Sequence, residues 1–233
     1  MAIVNRRRIY LVRHGEVDYF SDDSLPEDPI LTSLGIEQAI HTGKYLAGNG
    51  VTFDRIVTST YRRASMTAEL IAGELGSPVT LTLEPSLKEI KGGDASTLSE
   101  RQLEEACLVG VAWALPSTRF LNGESVEDFT DRVQSVINAL LANADWQNVL
   151  IVAHGGVNTA VLSRALTGNP SSYLPAIEQD YACLNLVEVG VRGDWLVRLM
   201  NYSPESNIPL QPLPSTMERF LNNYRTNFSK TDD

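Results

Sequence analysis

Two histidines lie where chemistry is expected, each at the end of a run of apolar residues and directly before glycine. Arg13-His14-Gly15 ends the first run and His154-Gly155 ends the second. An imidazole is largely neutral near pH 7, so it can act as a nucleophile or a base. The carboxyl ends of strands in an α/β sheet open into the crevice where ligands bind. The two histidines are therefore predicted to face one site, while the third histidine, His41, lies within a predicted helix.

Two further residues fit the same crevice. Arg63 lies four residues after Ser59, near the first turns of a helix that follows a predicted strand. With Arg13 it offers planar, multidentate donors that suit a phosphoryl group, and helix N-termini also favour anions. Glu89 lies on a loop after another strand, where a carboxyl group can supply a proton. Glu84, five residues earlier, stays open as an alternative acid.

For some neighbouring residues the sequence allows more than one role or predicts no catalytic role. Arg62 precedes Arg63, and the spacing favours Arg63 as the functional residue and leaves Arg62 to solvent. Glu16 either lines the pocket or caps a turn. Gly15 and Gly155 are expected to line the pocket, because glycine lets a backbone turn sharply and approach a ligand closely.

Alternating strand-like and helix-like segments predict the fold that positions these residues. Short β-rich runs alternate with helical periodicity, which is typical of a doubly wound sheet. The predicted fold is a three-layer α/β/α sandwich around a mostly parallel sheet, with an antiparallel hairpin at one edge. The predicted strands cover residues 9–12, 55–58, 79–83, 148–153, 181–189 and 195–199.

Local signals set the expected helix starts. Thr32 is a predicted N-cap, and Ser59 or Thr60 is expected to cap the next helix. Reciprocal capping signals lie at Ser99 with Gln102, Ser125 with Asp128, and Ser215 with Glu218. An acidic loop from Val17 to Ile30 reads as a surface segment placed where a substrate lid can lie. Its acidic residues are Asp18, Asp22, Asp23, Glu27 and Asp28.

The domain organisation is expected to be one catalytic unit followed by a tail. Residues 1–200 show no linker-like break and read as a single domain. Residues 201–233 contain a Pro-rich connector and an amphipathic helix near 215–228. This helix is expected to pack on the domain or on a partner, and a homodimer contact is one use for it.

Composition excludes several partners. The net charge is −10, with 29 acidic against 19 basic residues, which argues against nucleic acids and anionic membranes. No segment is long and apolar enough to span a membrane, and the basic start lacks the apolar run of a signal peptide. Two cysteines, Cys107 and Cys183, give neither a disulfide framework nor a zinc spacing. The expected location is the cytoplasm.

At this point the chain resembles the histidine phosphatase superfamily, which includes phosphoglycerate mutases and acid phosphatases. Any one matching segment is modest evidence, but the ordered set is strong. The matching segments, in order, are Leu11 to Glu16, Leu31 to Ala39, Ser59 to Ala64 with Thr67-Ala68, Leu87-Lys88-Glu89, Gly123-Glu124-Ser125 with Arg132-Val133, and Val152 to Gly156.

The resemblance implies roles for these positions. His14 would attack phosphorus and form a phosphohistidine, while Arg13, Arg63 and His154 would hold the phosphoryl oxygens. Glu89 would protonate the leaving alcohol and then activate water. Cationic donors stabilise the spread charge of the transferring group, so neither a metal nor a cofactor is expected.

The chain departs from the family pattern in two places, and this keeps alternatives open. Gly93-Asp94-Ala95-Ser96 replaces an aromatic and acidic run, and Val17 to Phe20 lacks residues typical of phosphoglycerate mutases. The favoured interpretation is a phosphomonoesterase that acts on a small phosphorylated metabolite. A mutase, and a phosphate-recognising regulatory protein with little turnover, remain as alternatives.

Overall fold

The computed structural model describes residues 6–20, 27–76, 78–109, 115–204 and 214–228. Within these ranges one mixed sheet of six strands has the order β3-β2-β4-β1-β5-β6. The strands are β1 (Arg6–Arg13), β2 (Arg55–Ser59), β3 (Leu81–Glu84), β4 (Asn148–Ala153), β5 (Leu184–Gly190) and β6 (Trp195–Tyr202).

Parallel pairing brings the predicted site segments to one edge of the sheet. Strand β4 pairs in parallel with β1 on one side and β2 on the other, and β3 pairs in parallel with β2. Arg13 lies opposite Ala153, so the residues that follow these strands come out side by side. Strands β5 and β6 are antiparallel and form the predicted edge hairpin. The predicted fold class is confirmed.

Six helices are formed by the described residues, and the sheet lies between two helical layers. They are α1 (Ser33–Gly48), α2 (Arg62–Leu75), α3 (Glu100–Glu104), α4 (Val126–Ala142), α5 (Gly155–Thr167) and α6 (Thr216–Phe228).

Alternation along the central strands builds both layers of the core, because successive strand residues point to opposite faces. Ile9 and Leu11 pack with α4 and α5, whereas Tyr10 and Val12 pack with α1 and α2. All four side chains are buried. This burial on both faces explains why residues 9–12 of β1 are a continuous apolar run.

Most of the predicted caps are present, and one is wrong. Thr32 caps α1, and Ser99 and Gln102 form a reciprocal capping box. Helix α2 instead begins after Tyr61, whose side chain makes no capping hydrogen bond. The Ser59 hydroxyl faces the site, and the Asp28 carboxylate accepts from the Arg62 N–H at 2.9 and 3.0 Å. A carboxylate from a distant loop thus takes the place of the expected local cap.

Several strand boundaries also differ from the prediction, since β1 begins at Arg6 and not at residue 9, and β6 extends to Tyr202 and not only to residue 199. The strand expected from residue 181 begins at Leu184, because Ala182 has a φ of +51° and interrupts the extended chain. The strand expected at 79–83 is Leu81–Glu84, which pairs only with β2 at the sheet edge. Among the described residues, no helix has both the length and the apolar character needed to cross a bilayer.

Candidate active site

His14 lies in the turn after β1, at the centre of the sheet edge. Its backbone N–H donates to the Ala153 carbonyl at 2.9 Å, which continues the β1–β4 pairing by one residue. The ring Nδ1 lies 2.7 Å from the Gly15 carbonyl, so Nδ1 carries the hydrogen and Nε2 keeps its lone pair. Burial lowers the pKa of His14 well below its ordinary value, and the charges of Arg13 and Arg63 lower it further. The ring is therefore neutral and has the protonation state of a nucleophile.

The turn that carries His14 is locked against helix α1. A Cβ on Gly15 would lie 2.2 Å from the Gly35 carbonyl oxygen, and a Cβ on Gly35 would lie 2.2 Å from that of Glu16. The Gly15 N–H also donates to Thr67 Oγ1 at 3.0 Å. Gly15 thus fixes the backbone under the site and does not line the cavity, which corrects the expectation for this residue.

Arg13 and Arg63 place two buried guanidinium groups beside His14. Their exposed fractions are 5% and 3%. Arg13 Nη1 donates to the Gln179 carbonyl at 2.5 Å, and Arg63 Nη1 donates to the Glu27 carbonyl at 3.0 Å. The Nε atoms of both arginines are buried without a hydrogen-bond partner in the described part of the chain. Buried donors of this kind normally have partners, so both are available to an anionic ligand.

Aromatic rings hold the two guanidinium groups in place. The Arg13 guanidinium carbon lies 4.1 Å from the centre of the Tyr181 ring, and that of Arg63 lies 4.3 Å from the centre of the Tyr61 ring. Such cation–π contacts fix the plane of a cation without using its N–H donors. The sequence analysis assigned no role to Tyr61 or Tyr181, and a lone tyrosine gives no sequence signal for this use.

His154 occupies the N-cap position of helix α5, directly after β4, and faces His14. The two rings are 5.2 Å apart between centroids. Nε2 of His154 lies 2.9 Å from Ser59 Oγ, and the buried Nδ1 has no partner among the described residues. Burial first, and the charge of Arg63 next, lower the pKa of His154 well below its ordinary value. When Ser59 donates to Nε2, the hydrogen on Nδ1 is available to a phosphoryl oxygen.

Glu89 brings a carboxylate to the same place from the loop after β3. Its Oε1 accepts from the Ile90 N–H at 2.9 Å, and its Oε2 accepts from the Gly156 N–H at 3.1 Å. Gly156 has no side chain to interfere, since a Cβ there would lie 2.4 Å from Glu89 Oε1. The carboxylate is therefore seated on the first turn of α5, next to His154. Glu84 instead accepts from the nearby Ser86 N–H at 2.9 Å and is absent from the cavity lining.

A partly buried ion pair supports the loop that carries Glu89. Arg132, on α4, donates to the carbonyls of Ser86, Lys88 and Glu89 at 2.8, 2.7 and 3.0 Å. The carboxylate of Glu124 accepts from Nε and Nη2 of Arg132 at 2.7 and 2.9 Å. Both residues belong to the segments that carry the resemblance, but sequence analysis gave them no role. Only the folded chain shows that they hold the loop.

The other residues predicted for the site lie around these catalytic candidates. Arg62 is exposed and Arg63 is buried, which confirms the distinction drawn from their spacing. Glu16 lines the cavity, which is one of its two expected uses, and its Oε1 accepts from the Thr32 hydroxyl at 3.1 Å. Gly155 lines the cavity as expected.

The acidic loop touches the site at its described end. Tyr61 donates to Glu27 at 2.7 Å, and Asp28 Oδ1 lies 3.4 Å from Arg63 Nη1. Two of the predicted acidic residues, Asp22 and Asp23, lie outside the described residues.

A cavity of about 900 Å³ opens above these groups. Arg13, Arg63, Glu89 and Gly156 contribute to its lining, whereas His14 and His154 lie just beneath it and are 1% and 0% exposed. Only a small part of the His14 side chain is therefore open to the cavity before a substrate binds. Catalytic contacts are often incomplete before a substrate binds.

Comparison with known proteins agrees with this geometry. Residues 9–202 match the model of the histidine phosphatase superfamily (branch 1). The adenosylcobalamin/alpha-ribazole phosphatase of Escherichia coli (strain K12) is 32% identical over 193 residues, which are 78% of this chain and 90% of that protein. The 2,3-bisphosphoglycerate-dependent phosphoglycerate mutase of Beijerinckia indica is 34% identical over 183 residues, 74% of this chain and 86% of the mutase.

A solved structure gives the same result for the fold. The complex of a mycobacterial glucosyl-3-phosphoglycerate phosphatase with inorganic phosphate has a TM-score of 0.68 and 27% sequence identity. The similarity covers 86% of this chain and 99% of that one.

Proposed function

The chain belongs to the histidine phosphatase superfamily and is a phosphatase, and from this premise we propose that it hydrolyses small phosphomonoesters without a metal, through a phosphohistidine at His14. The observation that carries the mechanism is a set of buried side-chain nitrogen atoms without hydrogen-bond partners among the residues that the structure describes. Arg13 Nε, Arg63 Nε and His154 Nδ1 have no partner within the described ranges and lie around the neutral ring of His14. An anionic phosphoryl group satisfies donors arranged in this way.

In the first half-reaction, Nε2 of His14 donates its lone pair to phosphorus and the P–O bond to the alcohol breaks. The leaving oxygen takes the bond electrons and a proton from the Glu89 carboxyl group. Arg13 and Arg63 balance the charge on the remaining phosphoryl oxygens. The Nδ1–H of His14 donates to the Gly15 carbonyl throughout, so the positive charge on the phosphorylated ring is stabilised.

In the second half-reaction, a water molecule attacks the phosphohistidine while the Glu89 carboxylate accepts its proton. The P–N bond breaks, its electrons return to His14, and inorganic phosphate leaves. One residue thus acts first as an acid and then as a base, which restores the starting state after each turnover.

The substrate is a small phosphorylated metabolite. The cavity of about 900 Å³ suits a drug-sized molecule, and the named relatives include phosphatases of small phosphate esters. Carboxylates of the acidic loop reach the rim at Glu27 and Asp28. Their charge disfavours polyphosphates, and the net charge of −10 disfavours nucleic acids as partners.

A reducing compartment such as the cytoplasm suits this chain. Cys107 and Cys183 are both free and buried. Burial raises the pKa of Cys107 to about 11 and that of Cys183 to about 12, so neither is a reactive thiolate near neutral pH.

The first experiment is hydrolysis of p-nitrophenyl phosphate in the presence of a chelator, with the native chain and His14→Ala. We expect turnover by the native chain, a loss of roughly 10⁴-fold or more in the variant, and base-stable, acid-labile phosphate on the native protein. Label without turnover would favour the mutase alternative, which the similarity to the Beijerinckia indica mutase keeps open. Neither label nor turnover would favour the regulatory binding protein.

A further inference from the structure

Helix α6 lies beyond residues 9–202, the part of the chain that matches the family, yet it borders the active-site cavity. Its apolar side is buried on its own chain: Leu221 is 2% exposed and packs with Leu103, Cys107 and Leu121. Arg225 pairs with Glu100 and Glu104 on α3. The apolar face of α6 therefore packs on its own chain. This packing leaves no reason to expect a homodimer contact through that face.

The N-terminus of α6 is tied to the phosphoryl-binding residues. Arg13 Nη1 donates to Thr216 Oγ1 at 3.2 Å, and the Thr216 N–H donates to Glu178 Oε1 at 3.0 Å. Ser215 and Glu218 form the predicted capping box, with N–H donations of 2.6 and 3.2 Å. These contacts place the first turn of α6 directly over Arg13.

The next turn of α6 gives the cavity an apolar wall. Met217 and Phe220 line the cavity, together with Phe20 from the loop after β1 and Phe120 from the turn before α4. The rings of Phe20 and Phe220 are 5.6 Å apart between centroids. Both rings are only half-buried. Phe220 therefore has apolar surface that a ligand in the cavity can cover.

We propose that Phe20, Phe120, Met217 and Phe220 form a leaving-group subsite, which selects phosphomonoesters whose alcohol carries an aromatic or extended apolar group. The proposal rests on the proposed phosphatase function and adds the class of substrate. The phosphoryl group binds at Arg13 and Arg63, and the alcohol extends toward α6. The apolar part of the alcohol then covers the half-buried rings, which releases water from both surfaces.

The charges around the subsite fit a neutral apolar group better than a second anion. Asp18 and Glu178 line this cavity along with Arg119 and Arg219, so neither sign dominates. Arg119 donates to the Gly123 carbonyl at 2.8 Å, and Arg219 Nη2 lies 3.5 Å from Asp180 Oδ1. Thr216 engages Glu178 through both its N–H and its hydroxyl.

The test compares two substrates whose leaving alcohols have similar intrinsic reactivity, propyl phosphate and 3-phenylpropyl phosphate. We expect the native chain to prefer the phenylpropyl ester by about 10- to 100-fold in kcat/KM. Phe220→Ala and Met217→Ala should each remove most of this preference while leaving propyl phosphate hydrolysis within about twofold. Asn222→Ala, on the exposed side of the same helix, is the matched control and should change neither ester.

Binding to His14→Ala, measured by calorimetry, separates the subsite from catalysis. We expect tighter binding of the phenylpropyl ester, and loss of that advantage in the His14→Ala, Phe220→Ala double variant. Equal binding of the two esters would overturn the subsite even if the native chain is an active phosphatase. Tighter phenylpropyl binding without turnover by the native chain would support the subsite and reject the phosphatase function.

Discussion

The two ends of the cavity are built from different kinds of structure. The phosphoryl end comes from residues that follow β1 and β4, and from the first turns of α2 and α5, all set by parallel strand pairing. The leaving-group end comes from a loop, a short turn and α6. Pairing with two buried neighbours leaves little freedom at the first end, whereas the second end can change without disturbing the sheet. Chemistry and selectivity are thus carried by separate parts of the chain.

Glu89 lies between the two ends, and its replacement gives the largest substrate-dependent effect. Glu89→Gln removes the proposed acid for the leaving oxygen, so hydrolysis of an alkyl phosphate should fall by about 10²- to 10⁴-fold. Hydrolysis of 2,4-dinitrophenyl phosphate should fall far less at the phosphorylation step, because its leaving group needs no proton. Pre-steady-state release of dinitrophenol measures that step.

Glu84→Gln is the matched control for this experiment. Glu84 accepts a backbone hydrogen bond from Ser86 and does not line the cavity. We expect both esters to react at nearly the native rate in this variant. Equal losses for the two esters in Glu89→Gln would contradict the acid role of Glu89.

Arg63→Ala tests whether the phosphoryl end acts alike on every substrate. Removing a preorganised donor to the transferring group should lower kcat/KM by about 10²- to 10³-fold. The loss should be the same for propyl and 3-phenylpropyl phosphate, because Arg63 contacts only the part that they share. Arg62→Ala, one residue earlier and exposed, should leave both rates nearly unchanged. Steady-state kcat/KM values for the two esters measure this effect. A loss confined to one ester would contradict the proposal that the phosphoryl end acts equally on every substrate.

The positions of the residues at the phosphoryl end could be predicted from the sequence, because these residues are adjacent to strands. An apolar run that ends at Arg13-His14 places these two residues without knowledge of the rest of the chain, and the run before His154 does the same. Parallel pairing then brings the two segments together. The predicted sheet, its antiparallel edge and the distinction between Arg62 and Arg63 all rest on such local signals.

Sequence could not predict the other contacts, because they join residues far apart in the chain. Arg13 meets Thr216 across 203 positions, and Arg132 reaches Ser86 across 46. The cap of α2 was predicted wrongly for the same reason, because Asp28 provides it from 34 positions earlier in the chain. Residue type alone does not show which tyrosine will lie over which arginine.

Gly156→Ala should lower the hydrolysis rate by a smaller factor, because it displaces the Glu89 carboxylate without removing it. The new Cβ would lie 2.4 Å from Glu89 Oε1 and 3.2 Å from Phe129 Cζ, so the carboxylate must move. We expect a loss of about tenfold on propyl phosphate and a much smaller loss in dinitrophenol release. Gly73→Ala, inside α2 with no atom within 4 Å of the new Cβ, should keep full activity and gain about 0.5 to 1 kcal/mol in stability. Native rates for Gly156→Ala would contradict the seating of Glu89 on α5.

The smallest effect concerns stability and pH. Burial lowers the folded-state pKa of His14 and His154 well below the ordinary value of 6.5. As the pH falls below 6.5, the unfolded chain binds protons at these positions that the folded chain does not bind. The free energy of unfolding should therefore decrease with falling pH, by up to about 1.4 kcal/mol per pH unit for each histidine.

Urea unfolding between pH 5.5 and 7.5 measures how the free energy of unfolding changes with pH. Variants at the two ends of the cavity should affect this slope differently. His154→Gln should reduce the slope by the share of one histidine, because glutamine does not titrate. Phe220→Ala should shift the curve without changing its slope, since the leaving-group end contributes no buried histidine. Carboxyl groups whose pKa is lowered in the folded chain, such as Glu124 and Glu188, begin to lose their stabilising effect only near pH 4.5. The slope between pH 5.5 and 7.5 is therefore set mainly by the histidines. An unchanged slope in His154→Gln would mean that His154 binds protons equally in the folded and unfolded chains, which would contradict the lowering of its pKa by burial.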